Sequence, residues 1–310
     1  TGPRHAWVLP QSRLRAMLQA ALWTFCILIA MPAGAASQDS VHERLQIASR
    51  IEEMYSHAYE SYMAYAFPAD ELRPLSCDGR RVRERGDLDA VLGNYSMSLI
   101  DALDSLVVFR RYDDFERAVE HIVEEVDFDQ DVEVSTFEVN IRILGGLLSG
   151  HLHAQKLLAE YTGGLLDKAV DVAQRLRTAF ETPTGMPLTR VNLAMGKPEH
   201  PSSTVTTAEA GSFLLEFGVL SLLTGDATYY AIAKRSLRAF WRKRSALDLV
   251  GTSIDVNTGE FKDIQSTTGP GQDSFFEYLL KGYTLFNDLE LLEMFQTAYA
   301  AVEAHLGFEG

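Results

Sequence analysis

From about residue 41 onward, apolar residues recur at the three-to-four spacing of helices, and short polar turns interrupt them. Four segments repeat one plan: "SLIDALDSLVVFRRYDDFERAVEHIVEEV" (98–126), "NIRILGGLLSGHLHAQKLLAEYTGGLLDKAVDVAQRLRTAF" (140–180), "GSFLLEFGVLSLLTGDATYYAIAKRSLRAFWRKR" (211–244) and "DSFFEYLLKGYTLFNDLELLEMFQTAYAAVEAHL" (273–306). In each, the first helix is apolar nearly all round, as an inner helix must be, and the second carries a charged face. The tripeptides "YDD", "TGD" and "FND" mark turns between them. Stacked αα-hairpins of this kind build an open solenoid or a closed α/α toroid. No fixed short period runs through the segments, which favours the toroid.

Long loops separate the hairpins: 67–93, 181–206 and 249–272. In the last, "SIDVNTGEF" alternates around Asn257-Thr258-Gly259 and predicts a small β-hairpin near 250–262. Loops of this length inside a compact domain usually serve function. Each precedes an inner helix, so a toroid would gather all three at one end.

Acidic residues stand near the start of each inner helix: Asp101 and Asp104, Glu138, Glu209 and Glu216, and Asp273 with Glu277. In a barrel these carboxylates converge on one cavity. A ring of acids facing a neutral ligand suits glycoside hydrolysis, where one carboxylic acid protonates the leaving oxygen and another carboxylate activates water or attacks. The stretch "STFEVNIRILGGLLSGH" (135–151) sharpens the point. Phe137, Ile141, Leu144 and Leu148 form a buried stripe, yet Glu138 and Arg142 sit one turn apart at its start. A structural reading competes. Ser135-x-x-Glu138 and Ser274-x-x-Glu277 match the capping box, and Glu138 with Arg142 is a favourable pair one turn apart. Spacing alone leaves both open.

Composition narrows the class. The 310 residues are 46% hydrophobic with a mean hydropathy of −0.06, which excludes a disordered or fibrous chain. Lys and Arg number 28 against 43 Asp and Glu, a net charge of −15. The longest basic run is "RRVRER" (80–85), so charge argues against nucleic acid as a partner. No zinc-protease, nucleophile-elbow, P-loop or dinucleotide-binding pattern occurs. At the N-terminus, Arg4, Arg13 and Arg15 precede the apolar "MLQAALWTFCILIAM" (17–31) and the small-residue site Ala33-Gly34-Ala35. Residues 1–37 therefore read as a signal peptide or signal anchor, which places the protein in the secretory pathway. Beyond that segment the one cysteine is Cys77, a disulfide candidate, and Asn94-Tyr95-Ser96 is a glycosylation acceptor.

Six motifs in order, "FPADELRPLSCDG" (67–79), "GNYSMSLIDALDSLVVF" (93–109), "STFEVNIRILGGLLSGH", "TPTGMPLTRVNL" (182–193), "LLEFGVLSLLTGD" (214–226) and "GQDSFFEYLLKGY" (271–283), resemble glycoside hydrolase family 47, the class I α-mannosidases. Within it the chain looks most similar to the ER degradation-enhancing α-mannosidase-like branch. The resemblance implies an all-α (α/α)7 barrel that removes α-1,2-linked mannose with inversion, assisted by Ca²⁺. It implies that Glu138 is the general acid and Asp273 a second catalytic acid. Arg142, Glu216, Glu277, Asp101, Asp104 and Glu209 would contact substrate. Implied partners are high-mannose N-glycans of misfolded glycoproteins and an ER oxidoreductase, with the protein in the ER lumen or anchored to the ER membrane. The family's third essential acid, its calcium ligand and the partner of Cys77 are expected beyond residue 310, with no metal ligand inside this chain. Residues 41–310 are accordingly expected to be the N-terminal part of the barrel domain, inactive and poorly stable alone. The alternative within the same fold is a non-catalytic mannose-binding quality-control factor.

Overall fold

A computed structural model describes residues 38–307 apart from Val82 and Glu199; the signal segment read in residues 1–37 lies outside the described residues. A leading helix, α1 (Gln38–Tyr65), is followed by four hairpins. The first pairs α2 (Met97–Asp101) and α3 (Leu103–Val108) with α4 (Tyr112–Glu125). In the second, α5 (Thr136–Glu138), a π turn (Val139–Leu144) and α6 (Gly145–Leu157) make the inner arm, and α7 (Gly164–Arg177) the outer. The third joins α8 (Thr207–Gly211) and α9 (Leu214–Thr224) to α10 (Thr228–Trp241), and the fourth α11 (Asp273–Phe286) to α12 (Leu289–His305).

Inner arms touch in chain order: α3 against α6, α6 against α9, α9 against α11. Outer helices pack behind them on one apolar stripe, as Phe115, Ala118, Val119 and Ile122 of α4 do. Phe180, Phe213, Phe217 and Tyr229 interlock edge-to-face in the core, with ring centroids 4.9, 5.4 and 5.7 Å apart in succession. Among the described residues, the stretch long and apolar enough to cross a membrane, Thr207–Thr224, is the third inner arm, 61% buried in the protein.

The second inner arm crosses the first so closely that a Cβ on Gly146 would stand 2.6 Å from the Ile100 carbonyl oxygen. Backbone cannot yield as a side-chain tip can. Gly146→Ala is therefore expected to destabilise by about 1–3 kcal/mol, the usual cost of overpacking. Denaturant unfolding reads it, and a wild-type midpoint would show that the arms do not meet this way.

The expected hairpin is present as β6 (Ser253–Asp255) and β7 (Phe261–Asp263), turning at Gly259 with φ +77°. It gains a third strand, β5 (Thr204–Thr206), antiparallel to β6 with Val205 opposite Ile254. Two further pairs have no counterpart in the sequence pattern: β1 (Glu71–Arg73) with β2 (Asp78–Arg80), and β3 (Glu133–Ser135) with β4 (Arg190–Asn192). Strand β3 runs straight into α5, and β5 into α8. Neighbouring loops are stitched together at these starts, as expected. Ser135 N donates to Ala90 O (2.7 Å), Thr136 N to Thr189 O (3.0 Å), Thr184 Oγ1 to Val256 O (2.6 Å) and Ala208 N to Gly271 O (2.8 Å).

The first three inner arms are not continuous helices. The first breaks at Ala102, the second widens into the π turn, and the third breaks at Ser212-Phe213. The first begins without a side-chain cap. Instead the fully buried Asp70 carboxylate, reaching from the 67–93 loop, accepts the backbone N–H groups of Gly93 (2.9 Å), Asn94 (2.5 Å), Tyr95 (2.9 Å) and Met97 (3.0 Å). Those bonds hold the turn in which Asn94 and Ser96 take positive φ.

Candidate active site

Glu138 closes α5, and its own N–H donates to Ser135 Oγ (3.2 Å), half of a capping box. The reciprocal half is missing, because Ser135 N–H is already spent on Ala90 O. The Glu138 carboxylate is thereby released. Its Oε2 accepts Arg142 Nε (2.8 Å), and Arg142 Nη1 reaches Asp101 Oδ2 at 3.4 Å across from α2. The three side chains are 34%, 41% and 42% exposed. Ion pairs this open contribute about 0–1 kcal/mol, so stability does not explain a second acid brought to one arginine. Burial pushes the Asp101 carboxyl above its usual range, Arg142 opposes, and Asp104 and Glu138 add to the rise.

Two residues further on, Asn140 is fully buried on the π turn. Its Nδ2 donates to Ser212 O (3.0 Å) and to Glu216 Oε2 (2.9 Å), while Tyr278 of α11 donates its hydroxyl to Glu216 Oε1 (2.8 Å). Asn140 Oδ1 has no partner. An orphaned buried acceptor costs about 1–3 kcal/mol, yet turning the amide over would set its carbonyl against two oxygens. The Ser212 hydroxyl continues the chain to Ser274 Oγ (2.8 Å), next to Asp273.

Burial raises the Glu216 carboxyl from 4.5 to about 7, against the lowering effect of Tyr278, Asn140 and Lys281. A carboxyl raised on folding contributes stability that is fully present below about pH 4.5 and lost as pH climbs through 7. Glu216→Gln is expected to remove that slope and to be the more stable form at pH 8, by at most about 3.5 kcal/mol at about 1.4 kcal/mol per pKa unit. Urea unfolding at pH 5 and pH 8 measures it; an unchanged pH dependence would mean that Glu216 titrates normally.

The remaining expected positions divide. Asp273 opens α11 with its side chain exposed, its turn held by the fully buried Gln272, which donates to Thr252 Oγ1 (3.0 Å) and Gln265 O (2.8 Å). Glu277 is exposed and pairs with Lys281. The capping box expected at Ser274-x-x-Glu277 does not form, since Ser274 lies inside α11 and its hydroxyl meets Ser212. Glu209, expected to contact substrate, is instead committed to a complete capping box: its Oε2 accepts both the N–H and the hydroxyl of Thr206 at 2.9 Å. Asp104 is exposed and accepts the Ser105 hydroxyl (3.3 Å). Cys77 is an exposed free thiol, and Asn94, also exposed, accepts Arg81 Nη1 at 3.3 Å. Among the described residues no three His, Cys, Asp or Glu side chains are grouped to hold a metal. The sequence pattern does not single out Asn140, Ser212 and Tyr278. The available signal was a lone amide in the apolar run "FEVNIRIL".

The family model of glycosyl hydrolase family 47 matches residues 54–309. The ER degradation-enhancing alpha-mannosidase-like protein 3 of Homo sapiens is 42% identical over 315 residues, covering 96% of this chain and 34% of that protein. Alpha-mannosidase I MNS4 of Arabidopsis thaliana is 43% identical over 269 residues, 85% of this chain and 42% of its own length. The solved alpha-1,2-mannosidase from Trichoderma reesei superposes with a TM-score of 0.74 at 27% identity, over 84% of this chain and 55% of that one. The chain thus spans about a third to a half of these curated relatives. The likeness in structure identifies the fold as the all-α, α/α-barrel type that the hairpin pattern predicts.

Proposed function

Since the chain belongs to glycosyl hydrolase family 47, we propose that the whole protein is an inverting α-1,2-mannosidase that trims high-mannose N-glycans on misfolded glycoproteins in the endoplasmic reticulum. One observation carries this reading. The Glu138 carboxylate gives up its place in a capping box and stands, half-exposed, beside Arg142 and Asp101 at the end of the barrel where the long loops gather.

Glu138 delivers a proton to the glycosidic oxygen as the C1–O bond breaks. Asp273, exposed at the first turn of another inner helix, takes a proton from the water that attacks C1 from the opposite face. Acid and base of an inverting site stand about 6.5–9.5 Å apart, which leaves room for that water. Arg142 offers its guanidinium to sugar hydroxyls, and Asp101, Asp104, Glu216 and Glu277 line the approach. The residues present do not by themselves fit the Ca²⁺ that the family implies, so these steps are those of the chain's own carboxylates. Cys77, an exposed thiol in the turn between β1 and β2, is the group an ER oxidoreductase would engage.

The test is mannose release from a high-mannose glycan by the full-length protein, with calcium supplied. Release supports the enzyme. Binding of the glycan without release supports the non-catalytic mannose-binding factor.

A further inference from the structure

We infer that Asn140, Ser212 and Ser274 are positioning residues that fix the spacing between the two proposed catalytic carboxylates, an inference that rests on the assignment of Glu138 and Asp273 above. Asn140 lies two residues beyond Glu138, and Ser274 follows Asp273 directly. Between them runs an unbroken line of two hydrogen bonds through a third helix: Asn140 Nδ2 to Ser212 O at 3.0 Å, then Ser212 Oγ to Ser274 Oγ at 2.8 Å. Asn140 and Ser212 are both fully buried and Ser274 is half-buried, so the bond between the first two is shielded from water. A branch to Glu216 and Tyr278 ties the same level a second time to α11.

Local backbone is bent to make the line possible. Asn140 sits on the π turn, a rare form of helix that concentrates at functional sites. Ser212 sits in the break between α8 and α9. Two irregularities in two helices meet at one hydrogen bond. The surroundings are apolar, with Val139, Ile143, Leu144 and Phe213 all buried, so packing alone would be served better by a hydrocarbon. Spacing is what a rigid polar line adds to such a core.

A misplacement of about 1 Å at a reacting group costs about 10²-fold in rate. In the full-length protein, Ser212→Ala and Asn140→Ala are therefore expected to lower kcat by about that factor per folded molecule, with KM little changed. Ser274→Thr, which keeps the hydroxyl, should retain the wild-type rate. A merely structural role would lower the melting temperature and leave kcat per folded molecule alone, which would overturn the proposal. Ser212→Ala removes a single oxygen, so it remains informative where Asn140→Ala fails to fold.

A second measurement does not depend on activity. With Glu138→Cys and Asp273→Cys introduced together, bis-thiol cross-linkers of graded length are applied and the 138–273 peptide pair is read by mass spectrometry. The intact line predicts a narrow preference for one linker length, and adding Ser212→Ala broadens it. An equally narrow preference in that background would refute the positioning role. Broadening, where the full-length protein with both carboxylates intact releases no mannose, would sustain the positioning role and refute the catalytic reading instead.

Discussion

Glu138→Gln is expected to lower mannose release by about 10²–10⁴-fold in the full-length protein, the range that general acid catalysis supplies, while folding and glycan binding persist. The backbone half of the cap survives, because the bond to Ser135 Oγ is made by the N–H of residue 138 rather than by its side chain. The new amide oxygen still accepts Arg142 Nε in place of Oε2. What disappears is the proton. Loss of charge against a 41%-exposed arginine costs at most about 1 kcal/mol, too little to unfold a domain. Initial rates, glycan titration and thermal unfolding separate the terms. A lowered melting temperature with unchanged release would make Glu138 a structural partner of Arg142 and nothing more.

Asp70→Ala is expected to cost about 3–5 kcal/mol of folding stability, a large part of the roughly 5–15 kcal/mol that holds a domain together. Four backbone N–H groups, those of Gly93, Asn94, Tyr95 and Met97, end on this one carboxylate. Each, if left buried and unpaired, costs about 1–3 kcal/mol, and water entering the vacated space recovers part of the sum. Asp70→Asn should be intermediate, since its amide oxygen still accepts while its NH₂ faces donors. Urea unfolding measures both variants. A change below about 1 kcal/mol would mean that the loop carries its own positive-φ turn without the anchor.

The helical hairpins were legible because burial imposes its period directly on the sequence, and outer helices such as α4 show it in an unbroken stripe. That the long loops meet at one end followed from chain order alone. The acids were legible as a set, but not their separate duties. Thr206-x-x-Glu209 and Ser135-x-x-Glu138 share one signature, yet the first forms a full capping box and the second only half. The difference is a single bond, Ser135 N to Ala90 O, made to a turn in the 67–93 loop 45 residues away along the chain (135 − 90). No local pattern carries that information. The same holds for the π turn and the break at Ser212, which meet through Asn140 across 72 residues. Three-residue strands such as β3 are too short to show a period of two. The anchor role of Asp70 is likewise hidden, since a charged residue in "FPADELRP" reads as solvated loop until its four donors are in place.

In the proposed mechanism Glu138 and Asp273 act across a water molecule as the acid and base of an inverting mannosidase. The anomer formed first reports on this directly. Proton NMR of the full-length protein acting on an α-1,2-linked mannose glycan, followed from the earliest turnover, should show β-mannose appearing first and then mutarotating. α-Mannose appearing first would contradict it, because retention needs a carboxylate nucleophile about 5–5.5 Å from the acid rather than a water between them.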